Sequence, residues 1–155
     1  MRRIATAVLA VTVAALSASA DALADGAPPA ARAARTTTVR LAKTNLGKIL
    51  VSGSGAALYM FTKDGRNADK CVTISGCRTV WPALTSSGRP VGGTGVKASR
   101  LSTIRLPDGA RQVTYDGHPL YTYSFSSGPE DTSYVGASEF GGRWYAVGST
   151  GHAVK

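Results

Sequence analysis

The sequence predicts an all-β fold: two homologous antiparallel β units with pseudo-twofold symmetry, braced by one disulfide. Three observations predict it. The chain repeats itself about 62 residues apart. Its apolar and aromatic residues fall in short alternating runs, and glycine-rich joints rather than helical-period segments separate those runs.

The repeat is read by setting "VSGSGAALYMFTKD" (51–64) above "VTYDGHPLYTYSFS" (113–126). Val51 meets Val113, Gly55 meets Gly117, Leu58-Tyr59 meets Leu120-Tyr121, and Phe61 meets Tyr123. One residue later in register, "RTVWPAL" (78–84) meets "GGRWYAV" (141–147), which pairs Trp81 with Trp144. They are the two tryptophans of the chain, and they stand at matching places.

The elements follow in chain order. Arg2 and Arg3 precede an apolar run from Ile4 to Leu16, too short for a span of about 20 residues. Small-x-small sites end at Ala20 and Ala24. Residues 1–24 therefore read as a secretory signal peptide with two competing cleavage sites. The rival reading is an uncleaved anchor. Residues 25–43, rich in Ala, Pro, Arg and Thr, read as a flexible leader. The first β unit with its linker covers 44–102 and the second covers 103–155.

In the first unit "ILVS" and "ALYMF" flank Gly53-Ser54-Gly55. Leu58 and Met60 make both faces of the second run apolar, so that strand is expected to be covered on both sides. In the second unit "RQVTY", "PLYTYSF" and "RWYAV" favour strands, and Asp116-Gly117 marks a tight turn. Tyr121, Tyr123 and Phe125 alternate with Thr122 and Ser124.

Cys71 and Cys77 lie in "CVTISGC", where Ser75-Gly76 can turn the chain. In an exported protein they are expected to pair. Two thiolates forming half of a metal site is the alternative reading.

The chain carries a formal charge of +9. Cleavage after Ala24 removes two positive charges (Arg2, Arg3) and one negative (Asp21), leaving +8. The basic residues are scattered and do not interleave with aromatics, so no nucleic-acid groove is expected. Anionic cell-envelope polymers or a small ligand are the partners considered.

Ligand-binding candidates are Tyr59, Phe61, Asp64, Tyr121, Tyr123, Trp81 and Trp144: rings for stacking and a carboxylate for a polar group. The competing reading makes the rings core and Asp64 a strand-ending turn residue. The second copy favours that reading in part, because Ser126 stands where Asp64 does. Glu130, Asp131 and Glu139 share one region and suit either a carboxylate pair or a cation, or else a solvated loop. His118 and His152 are far apart in sequence. No nucleophile or haem motif is present, and no catalytic residue, metal ligand or cofactor is assigned.

Taken together, Tyr59-x-Phe61-x-x-Asp64, Cys71, Cys77, Trp81-Pro82-x-Leu84, Val113-Thr114-Tyr115-x-Gly117-x-Pro119-Leu120-Tyr121 and Gly142-x-Trp144 resemble the bacterial family called "secreted repeat of unknown function", predicted lipoproteins with a Yx(FWY)xxD motif. The resemblance spans nearly all of residues 44 to 150. It implies an exported protein of duplicated units with no established activity. This chain departs from the family in lacking a lipobox cysteine, in Ser126, and in having five residues between its cysteines. The expected role is a non-enzymatic binding or cell-envelope protein, secreted or held in the envelope, and the alternative is a secreted enzyme or a redox or metal-binding factor using the 130–139 loop or the Cys71/Cys77 pair.

Overall fold

The computed structural model describes residues 36–155. The signal peptide read over 1–24 and the first part of the leader, 25–35, lie outside the described residues. The rest of the leader needs a correction. Residues 38–43 are not loose but form most of strand β1 (Thr38–Thr44), and Val39 is fully buried. Three apolar residues, Val39, Leu41 and Ala42, lie among Thr, Arg and Lys in that segment, and of these Val39 and Ala42 are buried. Pairing with a neighbouring strand is what buries them.

That neighbour is β2 (Gly47–Ser52), antiparallel to β1 in a register running from Val39↔Ser52 to Thr44↔Gly47. Next come β3 (Tyr59–Phe61), a one-turn helix α1 (Cys77–Val80) and β4 (Val91–Gly92). The second half holds β5 (Leu101–Arg105), β6 (Arg111–Tyr115), β7 (His118–Pro119), β8 (Ser138–Glu139), β9 (Gly142–Val147) and β10 (Ala153–Val154). Among the described residues three sheets result, ordered β2-β1-β4, β10-β9-β3 with β8 on β9, and β5-β6-β7. All pairings are antiparallel except the two-residue contact of β1 with β4. Among the described residues no helix is long and apolar enough to cross a membrane.

The Asp116-Gly117 turn forms as its sequence requires. Both residues have positive φ, 49° and 81°, which is the conformation a two-residue hairpin needs to match strand twist. Asp tolerates that region and Gly adopts it without a steric cost.

The core has two parts, and the central strands face both. Tyr59 and Phe61 point into one cluster with Trp81, Tyr121 and Trp144. Leu58 points into the other with Leu50, Val113 and Leu120, and Met60 packs against it. The two-sided strand expected from "ALYMF" is therefore observed. β2 divides the same way, with Ile49 and Val51 in the first cluster and Leu50 in the second.

Cys71 and Cys77 are joined, with Cα atoms 5.4 Å apart and both residues buried. The bond leaves no thiolate to act as a metal ligand. Gly76, at φ 74°, turns the chain into α1. Trp81 thus follows a helical turn instead of sitting within a β run, whereas Trp144 lies inside β9. The short disulfide loop leads into a helical turn before Trp81, whereas the residues before Trp144 form the tight turn between β8 and β9.

Replacing Cys71 and Cys77 together by Ser should lower unfolding free energy by about 2 kcal/mol, from the entropy of a loop this short. Denaturant unfolding of oxidised wild type and the double variant measures it.

Candidate functional site

Each repeat supplies the partner strand for the other. β3 of the first repeat pairs with β9 of the second, with Phe61 opposite Trp144 and Tyr59 opposite Ala146. In the other direction, the 120–124 segment bonds to the stretch around Trp81: Leu84 N–H donates to the Leu120 carbonyl, Thr122 N–H to Pro82, and Ser124 N–H to Val80. Where the two motif strands meet, Tyr59 and Tyr121 exchange both backbone hydrogen bonds, at 2.9 and 3.0 Å. These two residues occupy the same position in the two repeats.

The candidate rings converge on this junction. Trp81 and Trp144 stack with centroids 4.1 Å apart and planes within 2°. Phe61 lies on the other face of the pair, stacked on Trp144 at 4.2 Å. Tyr123 leans on Trp81 at 4.7 Å. Within each repeat a tyrosine meets its own tryptophan edge-on, Tyr59 with Trp81 at 5.0 Å and Tyr121 with Trp144 at 5.1 Å. Tyr59, Phe61, Trp81, Tyr121 and Trp144 are all buried, each 1 % exposed or less. Only Tyr123 is partly open. It continues outward to Tyr134, at 3.6 Å, and to Phe125, which is 64 % exposed. The structure thus brings the seven candidates together, with five rings facing one another and not solvent.

The tyrosine hydroxyls tie the repeats. Tyr121 donates to Asp64 Oδ2 at 2.7 Å, and Tyr59 donates to the Asp131 carbonyl at 3.1 Å. Asp64 Oδ1 accepts from the Lys70 N–H at 2.7 Å, so its carboxyl also closes the turn after β3. Burial raises the Asp64 pKa to about 7; the Lys70 and Tyr121 bonds oppose that shift, and nearby Asp69 adds to it. Asp69 accepts from the Val72 N–H at 2.9 Å, and its other oxygen is buried without a partner. Burial, and then the charge of Asp64, raise the Tyr121 phenol well above its usual value. Tyr59 is shifted the same way, chiefly by burial.

In the second repeat the polar anchor moves along the chain. Ser126, in the place of Asp64, bonds the Gly128 carbonyl at 3.0 Å. Asp131 does the organising, accepting from the Ser127 and Ser133 N–H groups at 2.8 and 3.0 Å and from both serine hydroxyls. Those bonds, the Ser133 hydroxyl foremost, hold its carboxyl below the usual range. Glu139 is engaged elsewhere, accepting from Trp81 Nε1 at 2.8 Å. Glu130 adopts a positive φ of 59° and bonds through its backbone N–H to Gly55. Asp131 and Glu139 thus serve separate structural bonds. Burial lowers the His118 pKa, and His152 lies beside the Thr150 hydroxyl.

Three participants escaped sequence reasoning: Asp69 beside Tyr121, Tyr134 against Tyr123, and Glu139 as the partner of Trp81. For Asp69 a signal existed, because the 62-residue register carries it onto Asp131. The same register sets Cys77 against Glu139. Trp144 correspondingly has no acid at its indole, and its Nε1 is buried without a partner. Glu139 and Trp81 are 58 residues apart, and nothing local links them.

The family model described as "secreted repeat of unknown function" matches residues 40–85 and again 102–148. The chain belongs to that family. The two matches begin 62 residues apart and end 63 apart, the same offsets that bring Tyr59 to Tyr121 and Trp81 to Trp144. The family's description as secreted supports an extracellular location. No curated protein and no solved structure matches the chain.

Asp64 sets a pH dependence whose sign is definite. Its folded pKa is raised, so its stabilising contribution is complete below about pH 4 and is lost as pH rises through about 7. Thermal melts across pH 4 to 8 should show Asp64→Asn losing less stability over that interval than wild type. Tyr121→Phe removes a donor to the carboxylate and should move the Asp64 midpoint upward, read by ¹³C NMR of the carboxyl.

A methyl at Gly142 would lie 2.6 Å from Phe61 Cε2 and 2.9 Å from Lys63 Cγ. Gly142→Ala should therefore push Phe61 off Trp144 and cost about 1–3 kcal/mol, with altered near-UV circular dichroism from the tryptophans.

Proposed function

We propose that this protein is a non-enzymatic component of the cell envelope, held outside the cell by attraction between its basic surface and anionic polymers. One observation carries the reading: the distribution of charge between interior and surface. Of the seven carboxylates in the described residues only Asp108 is exposed, and Arg78 pairs with it at 3.0 Å. The others are partly buried, and four of them bond groups already described: Asp64, Asp69, Asp131 and Glu139. Asp116 lies between Arg66 and Arg100. Against these, eleven lysines and arginines of the described residues are exposed. Six of the seven carboxylates bond or pair within the fold, and most of the positive charge faces out.

The buried rings support the same reading. They bond and stack with one another, so the binding they offer is between repeats. The cysteines are paired and buried, which presents no free thiol for exchange.

An attraction of this kind is long-ranged and screened by salt. The protein should stay on anionic wall preparations at low ionic strength and leave them near 0.5 M salt, where the Debye length has fallen to about 4 Å. Sedimentation of the preparation with bound protein measures this, and retention indifferent to salt would overturn the proposal.

A further inference from the structure

Among the exposed cations, three arginines stand on or beside the β5–β6 hairpin. A cleft of about 340 Å³ opens there, lined by Arg89, Pro90, Leu101, Ser102, Thr103 and Arg111. Arg111 is oriented within it. Its Nε and Nη2 both donate to Thr103 Oγ1, at 3.3 and 3.1 Å. A guanidinium has five N–H donors, so three remain after those two bonds. Among the described residues, no carboxylate forms an ion pair with Arg111 or Arg89. The Thr103 hydroxyl that accepts from Arg111 keeps its own proton to donate.

The third arginine makes the arrangement costly in the empty protein. Arg105 is the register partner of Arg111 across the hairpin, and both are exposed. Like charges directly opposite on paired strands destabilise the pair. The nearest acid in sequence, Asp108 in the connecting turn, is taken by Arg78 and by the Ala110 N–H, each at 3.0 Å. An anion between these side chains would relieve a repulsion that no local carboxylate relieves.

We propose that this cleft is an anion site that takes a phosphodiester group of an envelope polymer, with Arg89 and Arg111 as its two cationic arms. The inference rests on the envelope reading above and gives it a place on the molecule. A carboxylate presents two coplanar oxygens, which one guanidinium fork satisfies. Two separate guanidinium groups and the Thr103 hydroxyl suit a tetrahedral group with oxygens directed several ways. Arg105 carries the cationic row along the hairpin beyond the cleft, where a polymer's next charged group can reach it. A single headgroup would leave Arg105 unused.

The test titrates the full exported chain with soluble poly(glycerol phosphate) by calorimetry at low salt. Arg89→Ala/Arg111→Ala should weaken binding at least about tenfold, the scale of losing charge-assisted bonds. Lys43→Ala/Lys48→Ala is the matched control. It removes the like-charged opposite pair of the β1–β2 hairpin and the same total charge, and should weaken binding less than about threefold, as expected of exposed charges away from the contact. Arg89→Lys/Arg111→Lys keeps the charge but lacks the fork, and should still bind several-fold more weakly than wild type. Melting temperatures establish that each variant is folded. Equal losses in the two alanine variants would overturn the cleft and leave the general charge reading standing. No binding by wild type at low salt would overturn both. Tighter binding to phosphatidylglycerol vesicles than to the polymer, lost in Arg89→Ala/Arg111→Ala, would overturn the polymer as ligand.

Discussion

Trp81 and Trp144 stack face to face at 4.1 Å, and each carries a strand or turn of its own repeat into that contact. A single repeat exposes one face of its tryptophan and one edge of its motif strand. The second repeat covers both. Phe61 lies on the tryptophan of the other repeat, Tyr123 does likewise, and Tyr59 and Tyr121 join the two motif strands by reciprocal backbone bonds. Large aromatic rings bury 150–250 Å² each and gain further from offset or edge contacts. The ring cluster is therefore the main apolar anchor of the first core, and its geometry sets how the strands around it pair.

The polar groups follow from that arrangement. A tyrosine buried for the sake of its ring needs a partner for its hydroxyl. Tyr121 finds one in Asp64 of the first repeat, and Tyr59 finds one in the Asp131 carbonyl of the second. Each bond crosses between repeats. Drawing Asp64 inward in this way raises its pKa, and Trp81 recruits Glu139 for its indole. Two of the acids, Asp64 and Glu139, are thus drawn inward by the polar groups of the rings. In a chain with eighteen basic and nine acidic residues, the consequence is a surface richer in positive charge than composition alone conveys.

Several elements were legible because their chemistry is local. Asp116-Gly117 must adopt positive φ to close a two-residue hairpin, and it does. Leu58 and Met60 opposite Tyr59 and Phe61 imply a strand covered on both sides, which the two clusters supply. β1 was less legible. Its buried apolar residues, Val39 and Ala42, are few, and its order comes from pairing with β2 rather than from its own composition. The repeat sets Trp81 against Trp144, which lies in β9. The Cys71–Cys77 bond and Gly76 instead curl the preceding residues into a helical turn.

The sequence by itself determined the duplication, the β character of each copy, the pairing of the cysteines and the places of the rings, because each is written in spacing along the chain. Tertiary structure decided which way those rings face. An aromatic-x-aromatic run on a strand suits a core or a binding surface equally well, and only the strand laid against it chooses. Here that strand comes from the other repeat, more than fifty residues away, so no local pattern could announce that Tyr59 and Tyr121 would meet. The same distance hid Tyr121 as the partner of Asp64 and Trp81 as the partner of Glu139. Hydrogen bonding and charge depend on which side chains share a volume, and for these residues the fold alone creates that neighbourhood.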